Sequence, residues 1–208
     1  LDRIATPLQS VVMLMAGRPR EFDKDHALKQ AMLLFWERGY EGTSMSALVE
    51  ALGIASARIY AAFGSKEQLF REAVALYEAG DGGFADRALR EQAVRPAIER
   101  MLHDAVLTYT RRGRAQGCLV VSAATSTAPE NEAVMDWLAE HRRQRTAQII
   151  ARLRQAASAG ELPDGSDVQA LGDYYATVLH GISTQARDGA SRARLLAAVT
   201  VAMQALPV

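Results

Sequence analysis

A single cysteine, Cys118, is all the chain holds, so an internal disulfide framework is excluded and a reducing, cytoplasmic setting is expected. Aromatic residues make up only 6% of it, and there are 6 prolines and 15 glycines in 208 residues. An excess of either charge is also missing, with 24 Lys and Arg against 24 Asp and Glu. That balance argues mildly against a partner as acidic as nucleic acid, unless basic residues are well placed rather than abundant. No run approaches the roughly 18 apolar residues that a membrane-crossing helix needs, so no membrane partner is expected. The four histidines, His26, His103, His141 and His180, have no i,i+4 partner and no cysteine nearby, so neither a metal nor a cofactor is expected. There is no G-x-S-x-G, histidine pair or glycine-rich phosphate loop, and the chain does not read as an enzyme.

What is present favours helix. Hydrophobic residues reach 49%, and Ala, Leu and Arg, which lose little rotamer freedom in a helix, recur throughout. Met15 is the expected start; residues 1–14 read as an extension, and 1–17 as a tail left out of the fold. Leu28, Ala31, Met32 and Phe35 fall at i, i+3, i+4 and i+7, which predicts an amphipathic helix over 24–38. Thr43 or Ser44 caps a second helix over 45–52, Gly53 stops it, and a short third helix follows over 56–62. Ser65 and Gln68 form a capping box that opens a fourth helix, to about 79. The run "GDGG" at 80–83 is expected as a flexible hinge between a unit at 18–79 and another at 84–208. Further helices are expected over 97–112, within "CLVVSAATS", from a capping box of Thr127 and Glu130 to about 157, over 167–187 and over 191–205. The total is an all-α fold of about nine helices.

The stretch "ALGIASARIYAAFGSKEQLF" at 51–70 is the informative one. Leu48, Leu52, Gly53, Ile54 and Ile59 meet the needs of a helix-turn-helix: apolar residues where two short helices touch, and a residue free to take positive φ between them. Ser56, Ala57, Arg58, Ala61 and Ala62 then face outward, and small side chains there permit close approach to a duplex. Arg58 suits a guanine edge, and Tyr60 and Lys66 suit phosphate oxygens. The spacing alone is equally compatible with an ordinary helical hairpin in a larger bundle.

Over about 60 residues, from "RPREFDKDHALKQAMLLFWERGY" through "EGTSMSALVEALGIASARIYAAFGSKEQLFREAV", the chain resembles the DNA-binding domain of the TetR family of bacterial transcriptional repressors. The carrying residues are Phe35, Gly39, Tyr40, Thr43 and Ser44, the "LGI" turn, and "IYAAFGSKEQLF". The resemblance implies an N-terminal three-helix helix-turn-helix domain and a C-terminal helical bundle for ligand binding and dimerisation. It implies a repressor that binds a palindromic double-stranded operator as a homodimer and is released by a small-molecule effector. Thr43, Ser44, Tyr60 and Lys66 would touch phosphate, and Ala55, Ser56, Ala57 and Arg58 would read bases. This chain departs from common members in having Ala55 in place of Ser or Thr, Ala61 and Ala62 in place of His or Tyr, and a large Arg58. A helical small-molecule binding protein that has lost specific DNA binding is the alternative, motivated by the near-neutral stretch 18–66, with seven basic and six acidic residues.

By the same resemblance, Tyr109, Trp137, Tyr175 and His180 surround an effector pocket suited to an apolar or aromatic molecule. Each reads equally as core. Cys118 lies in an apolar segment, the setting of a buried, inert thiol, with a redox sensor or ligand contact as its other readings. Leu171, Tyr175, Val178, Leu179 and Ile182, with Leu195, Leu196, Val199 and Met203, are candidates for pairing across a two-fold axis. Gly172, Ala176 and Gly181 would permit close helix approach. Packing within one subunit is the other reading of this set.

Overall fold

A computed structural model gives the fold and describes residues 23–123 and 131–207. The expected tail at 1–17, the start at Met15 and the capping box of Thr127 and Glu130 lie outside these residues. Within them the chain is all-α, with ten α-helices where about nine were expected. They are α1 (Lys24–Arg38), α2 (Met45–Leu52), α3 (Ser56–Phe63), α4 (Lys66–Ala79), α5 (Phe84–Ala88), α6 (Val94–Tyr109), α7 (Leu119–Ser122), α8 (Glu132–Ser158), α9 (Val168–Arg187) and α10 (Arg192–Ala202).

Side-chain caps start the N-terminal helices. The oxygens of Asp23, Ser44 and Ser65 accept from the backbone N–H groups of His26, Ala47 and Gln68, each cap contributing about 1 kcal/mol. Phe35 and Tyr40 both pack on Phe70, with ring centroids 5.0 Å apart in each pair, which pins α1 to α4. Ile59 and Leu48 are fully buried beneath α3 and α2, and each such side chain stabilises the fold by about 1.5–3 kcal/mol relative to exposure. Leu52 and Ile54 pack half-buried on the same cluster.

The segment at 80–83 is not a loose hinge. Asp81–Gly83 form one 3₁₀ turn in which Gly82 and Gly83 are buried, and a Cβ on Gly82 would lie 2.4 Å from the Tyr77 ring. The missed helix, α5, follows directly. The sixth helix begins three residues before its expected start because Glu161, 67 residues away, accepts from the Val94 N–H at 2.6 Å.

The 27 residues of α8 span about 40 Å, and α8 packs along α9. Gly172 makes this possible, since a methyl group there would come within 2.2 Å of Ile150 Cγ1. Gly172 therefore serves contact within the subunit. So do Tyr175, Ala176, Leu179, Ile182, Leu195, Val199 and Met203, all buried in the chain's own core. Tyr174, Gly181 and Val201 are among the residues that α9 and α10 turn outward. Among the described residues no single helix is long and apolar enough to cross a membrane.

Candidate nucleic-acid interface and ligand cavity

Three residues, Gly53–Ala55, carry the chain from α2 into α3, and the two helices meet at a 93° bend. Gly53 ends α2 in the left-handed region, with φ of 65° and ψ of 25°, and donates its N–H to the Val49 carbonyl. Only glycine enters that region without a side-chain penalty. The bend drives Ile59 into the core and leaves Ala55, Ser56, Ala57, Arg58 and Tyr60 on the surface, with Tyr60 48% exposed. Ala55 caps α3 without a side-chain hydrogen bond, so the first N–H groups of that helix are left without that partner.

The remaining expected contacts divide. Ser44 is exposed at the N-terminus of α2, its hydroxyl 2.8 Å from that of Ser46. Thr43 is different: it is fully buried, and its hydroxyl donates to the Gly39 carbonyl at 2.7 Å. Its side chain closes the turn between α1 and α2 and is turned away from solvent. Lys66, the first residue of α4, rests its ammonium 4.2 Å from the centre of the Tyr40 ring. Partial burial pulls its pKa down, and nearby Glu41 opposes that shift.

The second site is a cavity of about 40 Å³, partly open to solvent and lined by α4, α5, α6, α7, α8 and α9, room for roughly two or three waters. Tyr109, Cys118 and His180 line it as expected. Trp137 and Tyr175 do not. The Trp137 indole stands behind His141, 4.3 Å from that ring, and packs against Phe70 with the Arg71 guanidinium on its face. The Tyr175 hydroxyl donates to the Ala202 carbonyl at 3.3 Å, tying α9 to the end of α10. Burial, reinforced by Tyr174, lifts its pKa to about 12.

Residues that the sequence reading missed give the cavity its chemistry: Tyr77 and Glu78 from α4, and His141, Arg142 and Arg145 from α8. Their signal was present. Leu138, Arg142, Arg145 and Ile149 recur at helical spacing, so the two arginines interrupt a stripe whose outer members are buried and apolar. Burial raises the pKa of Tyr77 and Tyr109 well above the phenol range, with Cys118 beside both adding to it. Burial also lowers the pKa of His180, and the Arg142 charge lowers it further.

Hydrogen bonds link this cavity to the helix-turn-helix. The Trp36 indole on α1 donates to the Gly117 carbonyl at 2.9 Å, and its ring meets the cavity-lining Tyr77 at 4.8 Å. Gly117 takes φ of 76°, and a Cβ there would lie 2.8 Å from the Ser183 carbonyl oxygen. The next residue, Cys118, donates its N–H to the Ser183 hydroxyl on α9 at 2.8 Å. Lower on α9, the Arg187 guanidinium donates to the carbonyls of Trp36 and Glu37 at 3.3 and 2.8 Å, capping the last turn of α1.

Comparison with known proteins agrees with this arrangement. Residues 27–73 match the bacterial regulatory proteins of the tetR family, and residues 96–205 match the tetracyclin repressor-like C-terminal domain. The HTH-type transcriptional repressor ComR of Escherichia coli K12 is 33% identical over 197 residues, covering 93% of each chain. BdcR, a repressor of the same organism and type, is 28% identical over 191 residues, 91% of this chain and 92% of its own. A solved cysteine mutant of the TetR family transcriptional regulator CifR, complexed with 26-bp double-strand operator DNA, is 44% identical with a TM-score of 0.87; the match covers 92% of this chain and all of that one. On its sequence, its fold and these likenesses, the chain belongs to the TetR family of bacterial transcriptional regulators.

Proposed function

We propose that the protein is a cytoplasmic, non-catalytic repressor that binds a palindromic operator as a homodimer and releases it when a small molecule enters the cavity. The observation that carries this reading is the contact between the two sites: Tyr77 lines the cavity and touches Trp36 of the helix-turn-helix. Residues 18–79 form the DNA-reading unit and residues 84–208 the effector-binding and dimerising unit.

In this reading α3 enters the major groove, where Ala55, Ser56 and Ala57 allow the backbone to approach the bases and Arg58 reaches a guanine edge. Ser44, Tyr60 and Lys66 hold phosphates, Lys66 by leaving the Tyr40 ring. A second copy packs on the outer face of α9 and α10, covering Tyr174 and Val201. A ligand larger than two or three waters must part the cavity walls, and the movement of Tyr77 passes to Trp36 and α1. The duplex fixes the half-site spacing, so displacement of either recognition helix costs contacts on one side.

The test is selection from a random duplex library with purified protein, followed by titration of the selected duplex against salt. An enriched palindrome whose affinity falls steeply with salt supports the reading. Failure to enrich any sequence, with dimers present, sinks it in favour of a helical binding protein without specific DNA recognition.

A further inference from the structure

The cavity's polar groups are not evenly matched. Its one lining acid and a second behind the wall already face bases: Glu78 Oε1 lies 3.1 Å from His141 Nδ1, and Asp86 pairs with Arg145 at 2.5 Å. The groups left over are donors. The Arg142 guanidinium has one hydrogen bond among the described residues, a long one of 3.4 Å to the Val120 carbonyl. Among the described residues the buried Tyr77 hydroxyl makes no well-formed hydrogen bond, although the Cys118 thiol and the Leu119 backbone N–H lie close to it. Around them stand Phe84, Ala85, Val121 and Leu179, all apolar.

We propose that the cavity takes a small monocarboxylate with a short apolar tail, its carboxylate received by Arg142 and the Tyr77 hydroxyl. The inference rests on the effector reading above and names the class of ligand for that same cavity.

A buried donor without an acceptor is costly, and a half-buried cation without an anion more so. A neutral apolar ligand would leave both unpaired and strip what water they hold. A planar carboxylate answers both, because a guanidinium offers it two parallel N–H groups and a phenol a third bond. Neighbouring charge adds to the demand. Burial and then the adjacent Arg143 weaken the hold of Arg142 on its proton, and the nearby Cys118 opposes part of that shift. The apolar side chains suit a short hydrocarbon tail or one ring, and the walls must part to admit either.

The experiment uses the full chain and two matched pairs of probes, hexanoate with hexanamide and benzoate with benzamide. Binding is read by calorimetry and by shift of the thermal midpoint. At least one acid is expected to bind about tenfold or more tightly than its amide. Arg142→Met and Tyr77→Phe should each remove most of that preference. Arg143→Met, which deletes an exposed charge next door, should keep it. Equal binding of acid and amide to the wild-type protein overturns the proposal, and so does failure of both acids to bind. The wild-type comparison decides even where a variant does not fold. Release of the selected duplex is scored separately. Acid binding that leaves DNA affinity unchanged keeps the site and overturns the effector reading, whereas amide binding that releases DNA does the reverse.

Discussion

At residue 172 the side chain is a single hydrogen, and the close packing of α8 on α9 depends on it. Gly172→Ala would push a methyl into Ile150, whose Cα also stands only 3.3 Å away, so the helix backbones themselves must shift. The expected cost is about 1–3 kcal/mol, seen as a lower thermal midpoint with unchanged helix content. His180 carries a second expectation at this scale. Burial and Arg142 hold its folded-state pKa below the ordinary 6.5. The folded chain therefore binds this proton less readily than the unfolded one, and the stability involved is present above about pH 6.5 and lost as pH falls from there through the lower folded-state pKa. The thermal midpoint should drop between pH 7.5 and 5.5, and His180→Gln should make the drop shallower. Thr43 and Tyr175 show where single residues misled the reading of the sequence. A threonine beside a cap and a tyrosine among apolar neighbours suit either surface or core, and only long-range packing decides between them.

At the scale of elements, the turn between α2 and α3 should tolerate alanine poorly although there is space for it. No atom lies within 4 Å of a Cβ built on Gly53, so the penalty for Gly53→Ala comes from its φ of 65° alone. That penalty is about 1–2 kcal/mol. Urea unfolding should register it, and Gly53→Asn should recover part of it, because asparagine tolerates this conformation better. The first four helices were legible almost to the residue because their signals are local: in α1, α2 and α4 a serine or aspartate accepts from an N–H three residues on, and α3 follows directly on the Gly53 turn. The sixth was misplaced because its cap, Glu161, comes from a distant loop that no window of sequence includes. The short α5 escaped notice because its five residues cannot display a period. The cavity was half legible. Its aromatic and thiol members stood out by residue type, whereas Arg142 and Arg145 were hidden in a long charged helix and revealed only by spacing.

For the whole molecule, the question is how the cavity and α3 are joined. Among the described residues, two sets of hydrogen bonds connect the bundle to α1: Trp36 to Gly117, and Arg187 to the last carbonyls of α1. Arg187→Ala removes the second while leaving both sites' own residues in place. The variant should bind the selected duplex with affinity near wild type and should need several-fold more effector for half-release. A mobility-shift titration with and without ligand separates the two quantities. Loss of DNA binding without any ligand would mean that Arg187 holds up α1 rather than transmitting to it. The neutral overall charge also becomes intelligible at this scale. In the proposed reading contact with DNA falls to one face of two short helices, and the remaining surface has no need to be basic.

Trp36 and Trp137 are the chain's two tryptophans, and they sit on either side of this joint. The first is sealed in α1 against Tyr77; the second is half-exposed on α8, between Arg71 and His141. Their fluorescence should differ in colour and in quenching, blue-shifted for the enclosed indole and sensitive to the neighbouring imidazole for the other. The protein thus carries an unlabelled optical reporter at each end of its signalling path, and stopped-flow emission can time which end moves first.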